Sequence, residues 1–387
     1  MARHFRLHPT LYSDVMRITI ERASFLKALN HVQSVVERRN TIPILSNVLL
    51  HAEKGRLSLT ATDLDIEVVE SADADVVRHG ATTASAHTLY DIVRKLPDGA
   101  QVQLEFGEGD GRLTLSAGRS RFQLQALPRE DFPSMAAGNL PHKCSLAAES
   151  LAELIDKTRF AVSTEETRYY LNGIYLHALT EKNKTLLRAV ATDGHRLARY
   201  ELAAPKGAAE IPGIIIPRKT VNELRKLLED FEDAVEITVS DTKIRFVLGT
   251  VTLTSKLIDG TFPEYQRVIP TGNDKLLEVV RDELKEAVDR VSTVSTEKSR
   301  AVKFNLENGR LTLSVVSPEA GTATEELVIE YKAAPIEIGF NARYIMDILE
   351  RIEGAKANFL FSDAGSPTLV RDSEGEAALY VLMPMRV

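Results

Sequence analysis

The sequence predicts an α+β chain of three similar domains, each with two helices packed on antiparallel sheets. Three observations carry that prediction: a strand-then-helix unit that occurs three times, a second unit of the same kind interleaved with it, and runs of alternating apolar and polar residues after the helices. Alternation at period two is the mark of a strand with one buried face, and apolar residues three and four apart mark one face of a helix.

The first series is "ITIERASFLKALNHV" from Ile18, "CSLAAESLAELIDKT" from Cys144 and "LEVVRDELKEAVDRV" from Leu277. Each reads as a short strand, a cap-like Ser or Asp, and an amphipathic helix. Phe25, Leu151 and Leu284 hold the same place at separations of 126 and 133 residues. The second series is "TLYDIVRKL" from Thr88, "TVNELRKLL" from Thr220 and "YIMDILERI" from Tyr344, preceded by the strand patterns "ATTASA", "GIIIPR" and "IEIGFN". Asp91, Glu223 and Asp347 match at offsets of 132 and 124 residues.

Strand patterns fill the rest. Domain one has "GRLSLTATDLDIEVVES" and "GAQVQLEFGEGDGRLTLSAGRSRFQLQAL", in which "GEGDG" (107–111) reads as a hairpin loop. Domain two has "AVEITVSDTKIRFVLGTVTLTSKLI", and domain three has "GRLTLSVVSPEAGTATEELVIEY" with "AKANFLFSDAGSPTLVRDSEGEAALYVLM". Each domain is thus made twice over from one helix and about four strands. Pro, Gly and polar residues interrupt the pattern at "GNLPHK" (138–143) and "VIPTGNDK" (268–275). The expected domains are therefore 16–142, 143–270 and 271–387, after a disordered extension at 1–15.

Composition narrows the class. Of 387 residues, 44% are hydrophobic and 27% charged, as in an ordinary globular protein. Trp is absent and aromatics make up 6%, so the core is expected to be aliphatic. The single cysteine, Cys144, excludes an intramolecular disulfide and a thiolate metal cluster, and fits the reducing cytoplasm. No segment approaches the ~18 apolar residues of a membrane helix, and the first fifteen residues lack the apolar core of a signal peptide. A net charge of −7 argues against a protein basic all over, but leaves room for a local nucleic-acid-binding face.

One stretch resembles an active site. In "ATDGHRLARY" (191–200), Asp193 and His195 flank Gly194 with Arg196 alongside, which suggests a general base, its orienting carboxylate and an anion clamp. The repeat argues otherwise. "ATDLDIEVVE" from Ala61 stands in register at an offset of 130, so Ala-Thr-Asp reads as a turn joining two strands. No nucleophile elbow accompanies the pair. A phosphate-binding loop, H-E-x-x-H and paired cysteines are also missing, so neither metal nor cofactor is expected. A hydrolase and a three-domain scaffold that never touches DNA are the rival readings. Cations stand on or beside all six helices, among them Arg38-Arg39, Arg94-Lys95, Lys157, Arg159, Arg218-Lys219, Arg290, Arg343 and Arg351. Acidic residues share the helices, so this census fits a solvated face as well as a surface that meets phosphates.

"RYYLNGIYL" (168–176), "ATDGHRLARY", "IIIPRKTVNELRKLL" (214–228), "TSKLIDGTFPEYQRVIP" (254–270) and "LYVLMPMRV" (379–387) closely resemble the beta subunit family of bacterial DNA polymerase III, the replicative sliding clamps. The resemblance runs from Met16 to Val387. It implies a head-to-tail homodimer that closes as a ring, with helices inside and sheets outside, around double-stranded DNA read without regard to sequence. It implies no catalysis. The implied partners are the DNA polymerase III alpha subunit, a clamp loader and other proteins with a clamp-binding motif.

Carried onto this chain, the family's peptide pocket comprises Leu171, Thr192, Gly194, His195, Arg196, Leu197, Pro263, Arg267 and Val268, with Val381, Leu382, Met383, Pro384, Met385 and Arg386 from the tail. Such an apolar, Met-bearing surface can adapt to several partners. The implied DNA-facing positions are Arg39, Tyr169 and Tyr170, with Arg218 and Lys219, and two places where the chain departs from the family: His87 for an arginine and Glu165 for a neutral polar residue. At the subunit contact, Phe122 and Leu124 of one protomer would face Thr293 and Val294 of the other. Gly365 and Pro367 differ from the family at the pocket rim.

Overall fold

A computed structural model describes residues 15–107, 111–136, 138–295 and 300–386. The expected extension at 1–15, apart from Val15, and the middle of the "GEGDG" loop lie outside the described residues. All six expected helices are present: α1 (Arg22–Gln33), α2 (Ala86–Lys95), α3 (Ala148–Asp156), α4 (Arg218–Leu227), α5 (Arg281–Ser292) and α6 (Ala342–Leu349).

The helix starts differ from expectation in one respect. Ser24, Ser150 and Asp282 lie inside the helices and do not cap them, because strand runs into helix without a loop. At α1 the Glu21 carboxylate reaches forward to accept the Ser24 amide at 2.9 Å. Ser85 and Asn341 cap α2 and α6 by side-chain oxygens, as N-cap residues do.

The chain forms two compact units, and their division does not follow the repeat. One unit holds the described residues up to Ala147 together with Lys226–Lys256. In it, a five-stranded sheet ends on Ser120–Gln125, and an eight-stranded sheet draws on both the first and the second repeat. The join is the antiparallel pair Val251–Lys256 and Ile66–Asp73, with Leu253 opposite Val68. Helices α1 and α2 pack on each other, and α1 lies on the strands Arg56–Thr62 and Ile66–Asp73. Phe25, Ala28, Leu29 and Val32 form its buried stripe.

The second unit holds Ala148–Arg225 together with the described residues from Leu257. Its eight-stranded sheet draws in the same way on the second and third repeats, and a four-stranded sheet ends on Gly321–Val328. Here the join is the last strand, Ala378–Leu382, paired with Arg196–Ala203 so that Leu197 stands opposite Val381. All five residues of that strand are buried. A sheet edge left open at the end of one repeat is thus closed by strands of the next, which removes unpaired backbone groups from solvent.

Candidate functional site

The Ala-Thr-Asp repeat folds into the same turn twice. In the first, Thr62 Oγ1 accepts the Leu64 amide at 3.0 Å, while Asp63 Oδ1 accepts the amides of Asp65 and Ile66 at 2.9 and 2.8 Å. In the second, Thr192 Oγ1 accepts the Gly194 amide at 3.1 Å, and Asp193 Oδ1 accepts those of His195 and Arg196 at 2.9 and 3.0 Å. Asp193 is thus a turn residue. The residue after each Asp takes the left-handed region, at φ 81° for Leu64 and 89° for Gly194. The first repeat carries a leucine side chain there and the second carries none. A Cβ on Gly194 would stand 2.5 Å from Arg168 Nη1.

Arg196 is no free anion clamp. Its Nε donates to Asp193 Oδ2 at 3.0 Å, Nη1 to Asp347 Oδ2, and Nη2 to the Phe160 carbonyl at 2.6 Å. Its guanidinium also lies over the rings of Tyr344 and Phe160, at 4.3 and 5.1 Å. Only 8% of the side chain is exposed, so the group serves as an internal strut.

On one side of this strut opens an apolar cleft of about 170 Å³. Nine of the fifteen expected pocket residues line it: Leu171, Thr192, Gly194, Arg196, Leu197, Pro263, Val268, Val381 and Met383. Glu264 and Tyr265 line it as well, and the sequence reading missed them. The available signal was their position directly after Pro263. The floor is core, since Leu171, Leu197, Tyr265 and Val381 belong to one buried cluster with Phe262 and Leu379.

Six expected residues stand elsewhere. His195 lines a second, polar cleft on the far side of Arg196, its ring stacked on Tyr344 at 6.5 Å. Leu382 is wholly buried in the sheet, pointing away from Val381 as alternation along a strand requires. Arg267 is 80% exposed and ion-paired with Glu264. Pro384, Met385 and Arg386 lie past the cleft, and the Met385 amide donates to the Gly339 carbonyl at 2.8 Å.

A buried polar network sets the pose of Tyr265. Arg188 Nη1 donates to the Tyr265 hydroxyl at 3.1 Å, and His177 Nε2 lies 3.0 Å from it. Arg188 is also paired with Glu201 and Glu181. Burial pushes the His177 imidazole below the usual range, helped by the Arg188 charge. The unfolded chain therefore binds a proton on His177 at a pH where the folded chain does not. This contribution to stability is whole above the ordinary imidazole pKa of ~6.5 and shrinks as pH falls below it. The melting temperature is expected to drop on acidification from about pH 7.5 to 5.5, and less steeply in His177→Gln; equal slopes in thermal melts would refute the assignment.

The expected DNA-facing positions fall in both units. In the first, Arg39 is exposed, whereas both ring nitrogens of His87 are engaged, 3.1 Å from Gln33 Oε1 and 2.9 Å from the Val36 carbonyl. In the second, Tyr169 is 54% exposed and meets Tyr170 edge to face. Arg218 is exposed and Lys219 partly so. Glu165 is ion-paired with Arg168 at 2.6 Å, which holds its carboxyl below the usual range. At the expected subunit contact, Phe122 and Leu124 are half-buried on the edge strand Ser120–Gln125, while Thr293 and Val294 follow α5. Among the described residues no cluster of His, Cys, Asp or Glu is placed to hold a metal, and no helix is long and apolar enough to cross a membrane.

Comparison with known proteins places this arrangement. The beta sliding clamp of Caulobacter vibrioides strain NA1000 / CB15N is 57% identical over 372 residues, covering 96% of this chain and all of that protein. That of Pseudomonas aeruginosa is 42% identical, with the same coverage. Among solved structures, the Caulobacter crescentus beta sliding clamp superposes with a TM-score of 0.95 at 56% identity, covering 96% of this chain and 99% of that one. A Bartonella birtlesii sliding clamp bound to griselimycin gives 0.94 at 52% identity, covering 96% and 100%. The N-terminal, central and C-terminal domain models of the DNA polymerase III beta subunit match residues 16–136, 145–264 and 266–386. With all three matched in order along nearly the whole chain, the protein belongs to the DNA polymerase III beta subunit family.

Proposed function

We propose that two copies of this chain close head to tail into a ring around duplex DNA and tether the polymerase III alpha subunit, the clamp loader and other motif-bearing proteins. The peptides of these partners enter the apolar cleft beside Arg196. The chain is a sliding clamp and not an enzyme, as its relatives are. Tethering raises the local concentration of polymerase at the primer end without new chemistry.

The observation that carries the reading of the cleft is its make-up. Leucines, valines, Pro263 and Met383 surround a preformed cavity with few polar groups, the composition that suits short apolar peptide anchors. The ring reading draws support from the sheet edges. Ser120–Gln125 ends the sheet of one unit and Gly321–Val328 that of the other, and unpaired edges invite strand addition. Val328, at the end of the second, is 92% exposed. Arg121 lies on the first edge with Arg119 just before it, while Glu325 and Glu326, paired with Arg290 and Arg310, lie on the second. The two edges therefore present different surfaces, as the two sides of a heterologous contact do. Three successive domains at 16–142, 143–270 and 271–387, Arg39, Tyr169, Tyr170, Arg218 and Lys219 toward DNA, and a cytoplasmic location complete the proposal. His87 and Glu165 serve there as braces, since their polar atoms are engaged within the chain.

Topology supplies the test. A loaded clamp is expected to stay on nicked circular DNA through gel filtration and to run off the same DNA once it is linearised. Equal retention on both forms would overturn the ring.

A further inference from the structure

We infer that the polar cleft on the far side of Arg196 is a seat for backbone phosphates of the encircled DNA, with Arg159 and Arg343 as its anchors. This rests on the clamp reading and adds residues that the resemblance did not carry. The cleft encloses about 550 Å³ and is lined by five arginines against two carboxylates.

Both of those carboxylates are engaged within the chain: Asp193 with Arg196 and Glu165 with Arg168. Arg159, Arg218, Arg343 and Arg351 remain, and the nearest acids of three of them are shared. Asp156, 3.0 Å from Arg159, also accepts from Arg225 at 2.8 Å. Asp347, 4.0 Å from Arg343, already accepts from Arg196. Glu350, 3.9 Å from Arg351, lies closer to Lys285 at 3.3 Å. The Nε of Arg351 is buried with no hydrogen-bond partner. An arginine whose carboxylate is divided with a second cation keeps an unbalanced charge, and planar guanidinium forks match phosphate oxygens.

The helix ends add to this. Arg218 and Asn222 on the first turns of α4, and Arg343 and Tyr344 on the first turn of α6, all border the cleft. Two helix N-termini there contribute partial positive charge of the sign a phosphate needs. An acidic segment of a docked peptide is a different occupant. Of the five arginines only Arg196 also lines the apolar cleft that takes the peptide, which favours DNA as the occupant here.

The test uses the full chain with Arg159→Gln and Arg343→Gln combined, binding a fluorescein-labelled duplex by anisotropy over a range of salt. Affinity at low salt is expected to fall about tenfold, and the slope of log K against log salt to shrink by about 2, roughly 0.9 for each phosphate that is no longer neutralised. Binding of a polymerase-derived peptide should stay as in the parent chain. The Arg159→Lys, Arg343→Lys chain, which keeps both charges, should recover most of the slope and so exclude misfolding as the cause. Unchanged duplex binding would overturn the inference, as would a loss confined to peptides with acidic flanks. Retention of the parent chain on nicked circles tests the clamp reading separately, so the two can fail independently.

Discussion

An Arg196→Ala chain is expected to lose about 3 kcal/mol of stability, because removing one partner of a buried ion pair leaves the other uncompensated. The side chain holds Asp193, Asp347 and the Phe160 carbonyl together, and these lie on a turn, on α6 and on a 3-10 segment. Its truncation also removes two ring contacts, each worth about 0.5–1 kcal/mol or more when desolvated. A loss of this size lowers the melting temperature by about 10 °C in a unit of this length. Arg196→Lys should recover only part of it, since an ammonium cannot reach all three acceptors. Peptide affinity should fall as well, because Arg196 walls the apolar cleft. A drop of less than ~1 kcal/mol in thermal or urea melts would mean that the strut is an ordinary surface pair.

Deleting Met383–Val387 is expected to weaken peptide binding by more than about 100-fold, equivalent to ~2.7 kcal/mol, while the chain stays dimeric. Met383 lines the cleft, and its amide donates to the His195 carbonyl at 2.9 Å, so the tail closes the wall that the turn begins. The deletion stops after Leu382, whose pairing with Arg196 completes the sheet register. The sheet therefore survives and the wall does not. Peptide titration and sedimentation equilibrium measure the two outcomes, and loss of both would make the tail a structural element first.

The helices and most strands were legible because each is encoded within one window: an apolar stripe at helical spacing, or alternation between turn residues. The turn at Asp193 was legible for a different reason. Its copy at Asp63 lies 130 residues earlier, where His195 and Arg196 have no counterparts and chemistry cannot explain it. The helix starts were misplaced because Ser and Asp favour both caps and first turns, and only the backbone shows which position each holds.

The pocket residues were carried largely by resemblance, and nine of the fifteen line one apolar cleft. His195 and Leu382 lie outside its lining, each for its own reason. Alternation along the last strand turns Leu382 into the sheet while Val381 faces the cleft, and the turn at Gly194 sets His195 against Tyr344 in the polar cleft that Arg196 also lines. Tyr265 was missed because its pose depends on Arg188 and His177, which lie 77 and 88 residues away in the chain.

By itself, then, the sequence determined the repeat, the kind and order of the elements, and the family. It also showed that Asp-Gly-His-Arg, for all its chemical look, belongs to a turn. Tertiary structure decided that a strand at 378–382 closes the sheet begun at 196–203, that Arg196 stands as a wall between an apolar cleft and a basic one, and that the arginines of the basic cleft share too few carboxylates. Local periodicity is a property of a few consecutive side chains. Register between strands nearly two hundred residues apart, and the balance of charges that meet only there, are set when the core closes.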